Sequence, residues 1–132
     1  MTQGASETVQ SIYAAFARGD VAAVVAAFHP DAEVHCHAPR SVPYGGVWRG
    51  REQVQAWFVA LGSTMAHDKV EAETMVASGD EVAVRGIEGG RSTATGRTYE
   101  AGFVHFWRVK DGLVVRFDDF IDSATVAATI AA

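Results

Sequence analysis

The end of the sequence carries three aspartates in the segment FDDFID, residues 117–122. A buried carboxylate costs free energy unless a partner or a ligand uses it. Whichever of Asp118, Asp119 and Asp122 points inward is therefore the first candidate for chemistry. His105, in the preceding apolar segment, supplies an imidazole nearby. A carboxylate and an imidazole on one apolar surface can together move protons to and from a bound molecule.

The hairpin between the last two strands decides which aspartate faces inward. Alternating side chains predict strands at 99–109 and 113–121, joined around Gly112. A three-residue turn that pairs Val109 with Leu113 sets apolar residues opposite apolar residues, whereas a two-residue turn sets apolar residues opposite charged ones. We therefore predict the three-residue turn, with Gly112 at positive φ.

This register places Asp119 inward, within an apolar wall made by Phe103, Phe117 and Ile121. His105 lies diagonally across from Asp119, within reach of a direct contact or one bridging water. In such a pair Asp119 takes a proton from the carbon next to a carbonyl, and His105 donates a hydrogen bond to the developing enolate oxygen. We predict Asp119 and His105 as the catalytic pair.

A second cluster, His35-Cys36-His37, contains residue types that bind metals. Strand alternation puts both histidines on one face and Cys36 on the other with Val34, and no fourth ligand stands at a recognisable spacing. We therefore predict no metal and no other cofactor. Cys36 is interpreted as a small pocket-lining thiol, because nothing in the sequence favours its thiolate.

Three amphipathic helices and a set of strands would position these residues. Apolar side chains recur at helical spacing over 9–16, 21–28 and 54–61, and Gly or Pro follows each segment. The remaining segments alternate as strands at 32–37, 69–77, 81–86, 99–109 and 113–121, with a loop predicted at 88–97. Helices followed by an antiparallel meander predict one α+β domain over 1–132, with helices packed on one face of a curved sheet.

Composition excludes several partners. The net charge of −5 and the pI near 5.4 argue against nucleic acid and against an anionic membrane surface. No apolar stretch is long enough to span a bilayer, and the first residues lack the pattern of a signal peptide. With one cysteine there is no internal disulfide, so a cytoplasmic location is the simplest expectation.

Several motifs taken together resemble the nuclear-transport-factor-two-like superfamily, specifically SnoaL-like and ketosteroid-isomerase-related proteins. They are ARGD, FHPDAEV, PYGGVWRGRE and VHFWRVKDGLVVRFDDFID, in this order along nearly the whole chain. The resemblance implies a cone-shaped, strongly bent sheet around three helices, with an apolar pocket at one end. It also implies a homodimer through the outer sheet face, whose apolar residues here would be Val104, Phe106, Val114 and Phe120.

Within this superfamily the catalytic positions of ketosteroid isomerases fall on Cys36, Ile12 and His105, so none of that residue set is kept. The epoxide-hydrolase set keeps only Asp119. SnoaL-like polyketide cyclases work without a cofactor and use a last-strand aspartate as acid/base for aldol closure, a position that Asp119 matches. The resemblance therefore favours the cyclase chemistry.

Two functions stay open at this point. One is a cofactor-independent enzyme of the polyketide-cyclase/isomerase type, which transfers a proton on a small apolar carbonyl compound in a deep hydrophobic pocket. The alternative is a non-catalytic binding protein for a small apolar ligand that uses the same pocket. The predicted pocket residues are Val34, Cys36, Tyr44, Trp48, Phe58, Ala101, Phe103, Phe117 and Ile121, with Tyr44 and Trp48 either forming a lid or fastening their loop.

Overall fold

A computed structural model describes residues 4–132, and within that range it contains four helices and six strands. The helices are α1 (Ala5–Ala17), α2 (Val21–Ala26), α3 (Gly50–Thr64) and α4 (Ser123–Ile130). The strands are β1 (Phe28–Cys36), β2 (Gly46–Arg49), β3 (Met65–Ser78), β4 (Glu81–Ser92), β5 (Thr98–Lys110) and β6 (Leu113–Ile121). Helices packed on a curved, open sheet confirm the predicted α+β cone.

The six strands form one sheet in the order β2-β1-β6-β5-β4-β3. Only the β1–β6 pair is parallel, and this pair brings the first strand next to the last. The inner face of the sheet and the helices share one core. Its fully buried valines include Val9, Val34, Val54, Val84 and Val114. Because β6 lies between β1 and β5, its inward side chains point into the middle of the cone.

The first two helices begin and end close to the predicted positions. Gly19 takes a positive φ of 72° after α1, and the Asp20 carboxylate accepts a hydrogen bond from the Ala23 amide at the start of α2. However, α2 ends at Ala26, two residues before the predicted end. Phe28 is fully buried and already belongs to β1, so the need to pair with the sheet overrides the helical spacing.

The first half of the segment 88–97, predicted as a loop, is strand. β4 continues to Ser92, and Gly89 and Gly90 pair with both neighbouring strands. These two glycines mark bends inside a strand. A Cβ on Gly90 would collide with the carbonyl oxygen of Ala66 in β3. Register shifts in β3 add to the curvature of this part of the sheet.

The C-terminal helix α4 was not predicted from the sequence. Asp122 caps it, because its carboxylate accepts hydrogen bonds from the amide and the hydroxyl of Thr125. Val126 and Thr129 bury its inner side. The third aspartate of FDDFID therefore has a structural role. No helix of residues 4–132 has both the length and the apolar character needed to cross a membrane.

The turn between β5 and β6 differs from the prediction. Lys110 pairs with Leu113, and the two central residues, Asp111 and Gly112, have positive φ angles of 52° and 77°. This is the pattern of a two-residue type I′ turn, so the three-residue turn was wrong, although the positive φ of Gly112 is confirmed.

A bulge explains why the apolar faces still match. Val109 pairs with Val114 while Arg108 pairs with Arg116, which leaves Val115 as one extra residue in β6. Between the bulge and the turn, the side chains of β6 point to the faces opposite to those predicted. Val114 is therefore buried in the core and not on the outer face. Beyond the bulge, inner residues oppose inner residues as expected.

Candidate functional site

Asp119 points inward and lies directly opposite His105, its register partner on β5. The sequence analysis placed His105 diagonally across from Asp119, whereas the two residues are direct partners in the structure. His105 Nε2 lies 3.3 Å from Asp119 Oδ1, and the two side chains are 9% and 7% exposed. The contact is not aligned as a hydrogen bond, and Oδ1 of Asp119 is buried without a hydrogen bond from any residue of 4–132. This oxygen is free to accept a proton or a hydrogen bond from a ligand.

Tyr13 on α1 joins this pair, which the sequence did not predict. Its hydroxyl lies 2.6 Å from His105 Nδ1 and accepts a hydrogen bond of 3.2 Å from Trp107 Nε1. The Tyr13 and His105 rings stack with centroids 5.9 Å apart. Burial, with a smaller contribution from the charge of Asp119, raises the pKa of Tyr13 far above its usual value, although the Trp107 hydrogen bond opposes this. Tyr13 therefore stays a neutral phenol that can donate a proton in a hydrogen bond.

The single proton of the Tyr13 hydroxyl has two possible uses. When His105 Nδ1 is unprotonated, the hydroxyl donates to it. When Nδ1 carries a proton, the imidazole donates to the Tyr13 oxygen, and the phenol proton becomes available to a ligand. With a proton on His105 Nδ1, Tyr13 can therefore donate its own proton toward the cavity.

Tyr13 and His105 both line a cavity of about 60 Å³. Its walls come from α1, α2, α3 and strands β3 to β6. They consist of Ile12, Tyr13, Phe16, Val24, Trp57, Phe58, Leu61, His67, Val70, Glu88, His105, Trp107, Phe117 and Asp119. Mostly apolar walls with a few polar groups are typical of a site for a small organic molecule.

A second carboxylate–imidazole pair lies on the same cavity. His67 Nε2 is 3.1 Å from Glu88 Oε2, and the Tyr99 hydroxyl donates to the same carboxylate oxygen at 2.7 Å. Burial alone would raise the pKa of Glu88, but the hydrogen bonds from His67 and Tyr99 outweigh it and hold that pKa below its usual value. Glu88 is therefore an ionised carboxylate in a buried position.

The sequence contained a signal for Glu88 that the loop prediction concealed. Val82, Val84, Gly86 and Glu88 are all buried, because they continue one alternating series along β4. Extending that alternation through the glycines would have placed Glu88 on the inner face. His67 had no comparable signal, since its position depends on the register shift that follows it in β3.

Four of the predicted site residues meet at the cavity, namely Asp119, His105, Phe58 and Phe117. Val34, Cys36, Tyr44 and Ala101 do not line it and lie buried elsewhere in the packed core. Burial raises the pKa of the Cys36 thiol, and the charge of Asp119 adds to the effect, so this cysteine remains a neutral thiol.

The other three predicted pocket residues also lie away from the cavity wall. Phe103 stacks on His105 with ring centroids 3.9 Å apart and so supports the imidazole from behind. Ile121 pairs with Phe103 at the end of β6, and Trp48 lies on β2 opposite Val34. None of the residues that line this cavity comes from β1 or β2, so the structure brings only part of the predicted set to it.

Asp118, the neighbour of Asp119, points to the outer face. Its carboxylate accepts two hydrogen bonds from Arg116, at 2.9 and 3.1 Å, and one from His37 at 2.9 Å. Partial burial acts to raise the pKa of Asp118, but these hydrogen bonds hold it below its ordinary value. The inward carboxylate of FDDFID is therefore Asp119, because Asp118 is fully partnered outside.

The remaining histidines of the first strand also lie outside. His35 Nε2 is 2.8 Å from Glu33 Oε1, and the His37 ring stacks on Phe120 at 4.1 Å. Nowhere in residues 4–132 do three or more His, Cys, Asp or Glu side chains gather in a way that could hold a metal ion. His35 and His37 therefore contact carboxylates on the outer face of the sheet.

Residues 9–117 match the family model of the SnoaL-like domain. The chain belongs to this family. Among solved structures it is similar to an NTF2-like protein of unknown function from Burkholderia pseudomallei, at 28% identity and a TM-score of 0.89 over 98% of this chain and 99% of that one. A comparison with curated protein sequences gave no match.

Two more distant structures share the fold of this SnoaL-like chain. TerC, co-crystallised with polyporic acid, is 23% identical with a TM-score of 0.84 over 96% of this chain and 97% of that one. A putative polyketide cyclase from Pseudomonas putida is 19% identical with a TM-score of 0.78 over 98% and 99%.

Proposed function

We propose that the protein is a cofactor-independent enzyme of the cyclase/isomerase type that transfers protons on a small apolar carbonyl compound. The observation that carries the proposal is the buried Asp119 carboxylate, whose Oδ1 lies on an apolar cavity without a hydrogen bond from residues 4–132. A carboxylate in this position is a general base for a carbon acid.

The proton transfer follows from the geometry. The Cα–H bond of the bound carbonyl compound breaks, and Asp119 takes the proton. The bonding electrons form the enolate, whose charge develops on the carbonyl oxygen. Tyr13 donates a hydrogen bond to that oxygen when His105 carries the proton on Nδ1. His105 thus acts through Tyr13, which replaces its predicted role as direct donor.

The comparisons support this chemistry at the level of the family. The SnoaL-like domain covers most of the chain, and one protein of the same fold is named a putative polyketide cyclase. Another, from Bacillus subtilis, is named a putative isomerase. Aldol cyclisation and the isomerisation of an enolisable ketone both begin with removal of a proton next to a carbonyl, the step proposed here for Asp119.

One observation favours the alternative of a binding protein. Both ring nitrogens of His105 already face protein atoms, Tyr13 on one side and Asp119 on the other. A histidine held in this way can fix the shape and polarity of a ligand cavity without taking part in proton transfer. The two functions differ in whether a bound ketone exchanges its protons.

Exchange of the α-protons of cyclohexanone in D₂O, followed by ¹H NMR, separates the two functions. We expect exchange by the wild-type protein, and loss of about a hundredfold or more in Asp119→Asn with retained binding in saturation-transfer spectra. Binding without faster exchange in the wild type would instead identify a binding protein.

A further inference from the structure

The permanent charges on the cavity wall all have one sign. Two carboxylates, those of Asp119 and Glu88, line the cavity, and among residues 4–132 no lysine or arginine side chain does. The Asp119 and Glu88 side chains are only 7% and 8% exposed. A buried carboxylate costs free energy unless positive charge or hydrogen bonds balance it. Within the described part of the chain, only a proton on an imidazole could supply positive charge to this wall.

Each of the two carboxylates keeps an oxygen atom without a donor. Asp119 Oδ1 is buried and receives no hydrogen bond from residues 4–132. The contacts of Glu88, with His67 Nε2 at 3.1 Å and with the Tyr99 hydroxyl at 2.7 Å, both use Oε2. Within the same range no group donates to Glu88 Oε1. Glu88 is therefore an anchored carboxylate with one oxygen left for a ligand.

Aromatic rings form most of the remaining wall. They belong to Tyr13, Phe16, Trp57, Phe58, Trp107 and Phe117. Phe16 lies at the Glu88 end, because its ring centroid is 6.0 Å from that of His67, which contacts Glu88. The face of an aromatic ring carries partial negative charge and attracts an organic cation. Rings beside a buried carboxylate are thus suited to an alkylated ammonium group, which is both charged and apolar.

Glu88 and Asp119 stand at different ends of the wall. Glu88 on β4 pairs with Ala101 of β5, whereas Asp119 on β6 pairs with His105 of β5. The four residues from 101 to 105 correspond to about 13 Å along the strand. A ligand therefore meets Asp119 with one part and Glu88 with another.

We propose that the substrate is a carbonyl compound with an alkylammonium group several carbon atoms from the carbonyl, and that Glu88 and Phe16 bind this group. The inference rests on the proposed function, because Asp119 still removes the proton next to the carbonyl. The ammonium group forms and breaks no covalent bond. Its N–H donates a charge-assisted hydrogen bond to Glu88 Oε1, and this contact fixes which end of the substrate reaches Asp119.

Two ketones of nearly equal shape test the inference in the wild-type protein. 6-(Dimethylamino)hexan-2-one is protonated on nitrogen in neutral water, and 7-methyloctan-2-one has an isopropyl group in place of the dimethylammonium group. We measure kcat/KM for α-proton exchange in D₂O by ¹H NMR, after subtracting the rate without protein. The measurement is made at about pH 8, where an imidazole in water is uncharged, so that fewer protons compete with the ligand for Glu88. We expect kcat/KM to be about tenfold or more higher for the cationic ketone.

Variants at the Glu88 end test which residues produce this preference. Glu88→Gln has nearly the same shape but no charge, so the ratio of the two kcat/KM values should fall to within about threefold of one. Phe16→Leu keeps an apolar side chain without a ring, so we expect the ratio to fall by about threefold. The matched control is Glu33→Gln on the outer face, where Glu33 Oε1 lies 2.8 Å from His35 Nε2, and it should leave the ratio unchanged. If Glu88→Gln does not fold, the wild-type ratio and Phe16→Leu decide the question.

The outcomes separate this inference from the proposed function. Exchange of neither ketone above the rate without protein would overturn the proposed function, and the inference with it. Exchange of both ketones that is lost in Asp119→Asn, with a wild-type ratio close to one, would overturn the inference alone. A preference for the cation that is unchanged in Glu88→Gln, or in Phe16→Leu where Glu88→Gln does not fold, would overturn it as well.

Discussion

Adjacent aspartates in one strand have opposite environments in this protein. Asp118 is held by Arg116 and His37 on the outer face, whereas Asp119 faces His105 across an apolar cavity. Strand alternation alone produces this division, because successive side chains point to opposite faces of a sheet. The surrounding side chains then decide the role of each carboxylate: Asp118 forms an ion pair with Arg116, and Asp119 is open to a ligand.

Replacement of Tyr13 by phenylalanine tests its role as donor to the developing enolate. The change removes the oxygen that Trp107 and His105 contact, so we expect a loss of stability of about 1–3 kcal/mol. We also expect the rate of α-proton exchange at saturating ketone to fall by about a hundredfold. Rates and unfolding curves measured on the same samples would disprove the role if the rate stayed within threefold of wild type.

Glu88 should make stability depend on pH at the acidic end. Hydrogen bonds hold its pKa below the ordinary value of 4.5, so its contribution is present above pH 4.5 and is lost as the pH falls through the folded-state pKa. Glu88→Gln therefore lowers the free energy of unfolding at pH 7 by about 1–3 kcal/mol and loses less stability than wild type below pH 4.5. Urea unfolding across pH 3–7 measures this, with the exposed Glu73→Gln as control. Parallel curves for Glu88→Gln and wild type would contradict the assignment.

At the scale of elements, hydrophobic periodicity was enough to predict α1, α2 and α3, the strands β5 and β6, and the inward direction of Asp119. It failed where one residue is added to a strand, as at Val115, since no alternation pattern shows which of two registers carries a bulge. It also failed at Gly89 and Gly90, which have turn composition but bend a strand. The cavity wall around His67 and Glu88 depends on these irregularities, so half of the candidate site was hidden.

The bend at Gly90 can be tested by adding one methyl group. Gly90 pairs with His67, and a Cβ there would collide with the backbone of Ala66 and press on the Cα of His67. Gly90→Ala should cost about 1–3 kcal/mol and displace β3 from the cavity. At Gly102 the nearest atom to an added Cβ is 3.9 Å away, so Gly102→Ala should stay within about 0.5 kcal/mol. Equal thermal unfolding of the two variants would show that β3 tolerates the methyl group.

At the scale of the whole molecule, we propose that two copies associate through the outer sheet face. Val104 and Phe120 are register partners there, 41% and 47% exposed, and Phe106 stands two residues further along β5, opposite Asp118, while Val114 no longer contributes. Neighbouring exposed apolar side chains on one sheet face favour a partner surface of the same kind.

Sedimentation equilibrium at micromolar concentration tests the association. We expect a species of about twice the 14.1 kDa chain mass, and a single-chain species after Phe120→Lys, because a charge there cannot be buried without a partner. A wild-type protein that sediments only as the single chain would rule out the interface.

The central claim is that Asp119, and not its neighbour, is the proton-transfer group. Asp119→Asn and Asp118→Asn make the same chemical change one residue apart, on opposite faces of one strand. The measurement is the α-proton exchange rate of cyclohexanone for both variants beside wild type, with folding checked by thermal unfolding. We predict a fall of about a hundredfold or more for Asp119→Asn and less than threefold for Asp118→Asn. Equal rates for the two variants, or a larger loss in Asp118→Asn, would contradict the account.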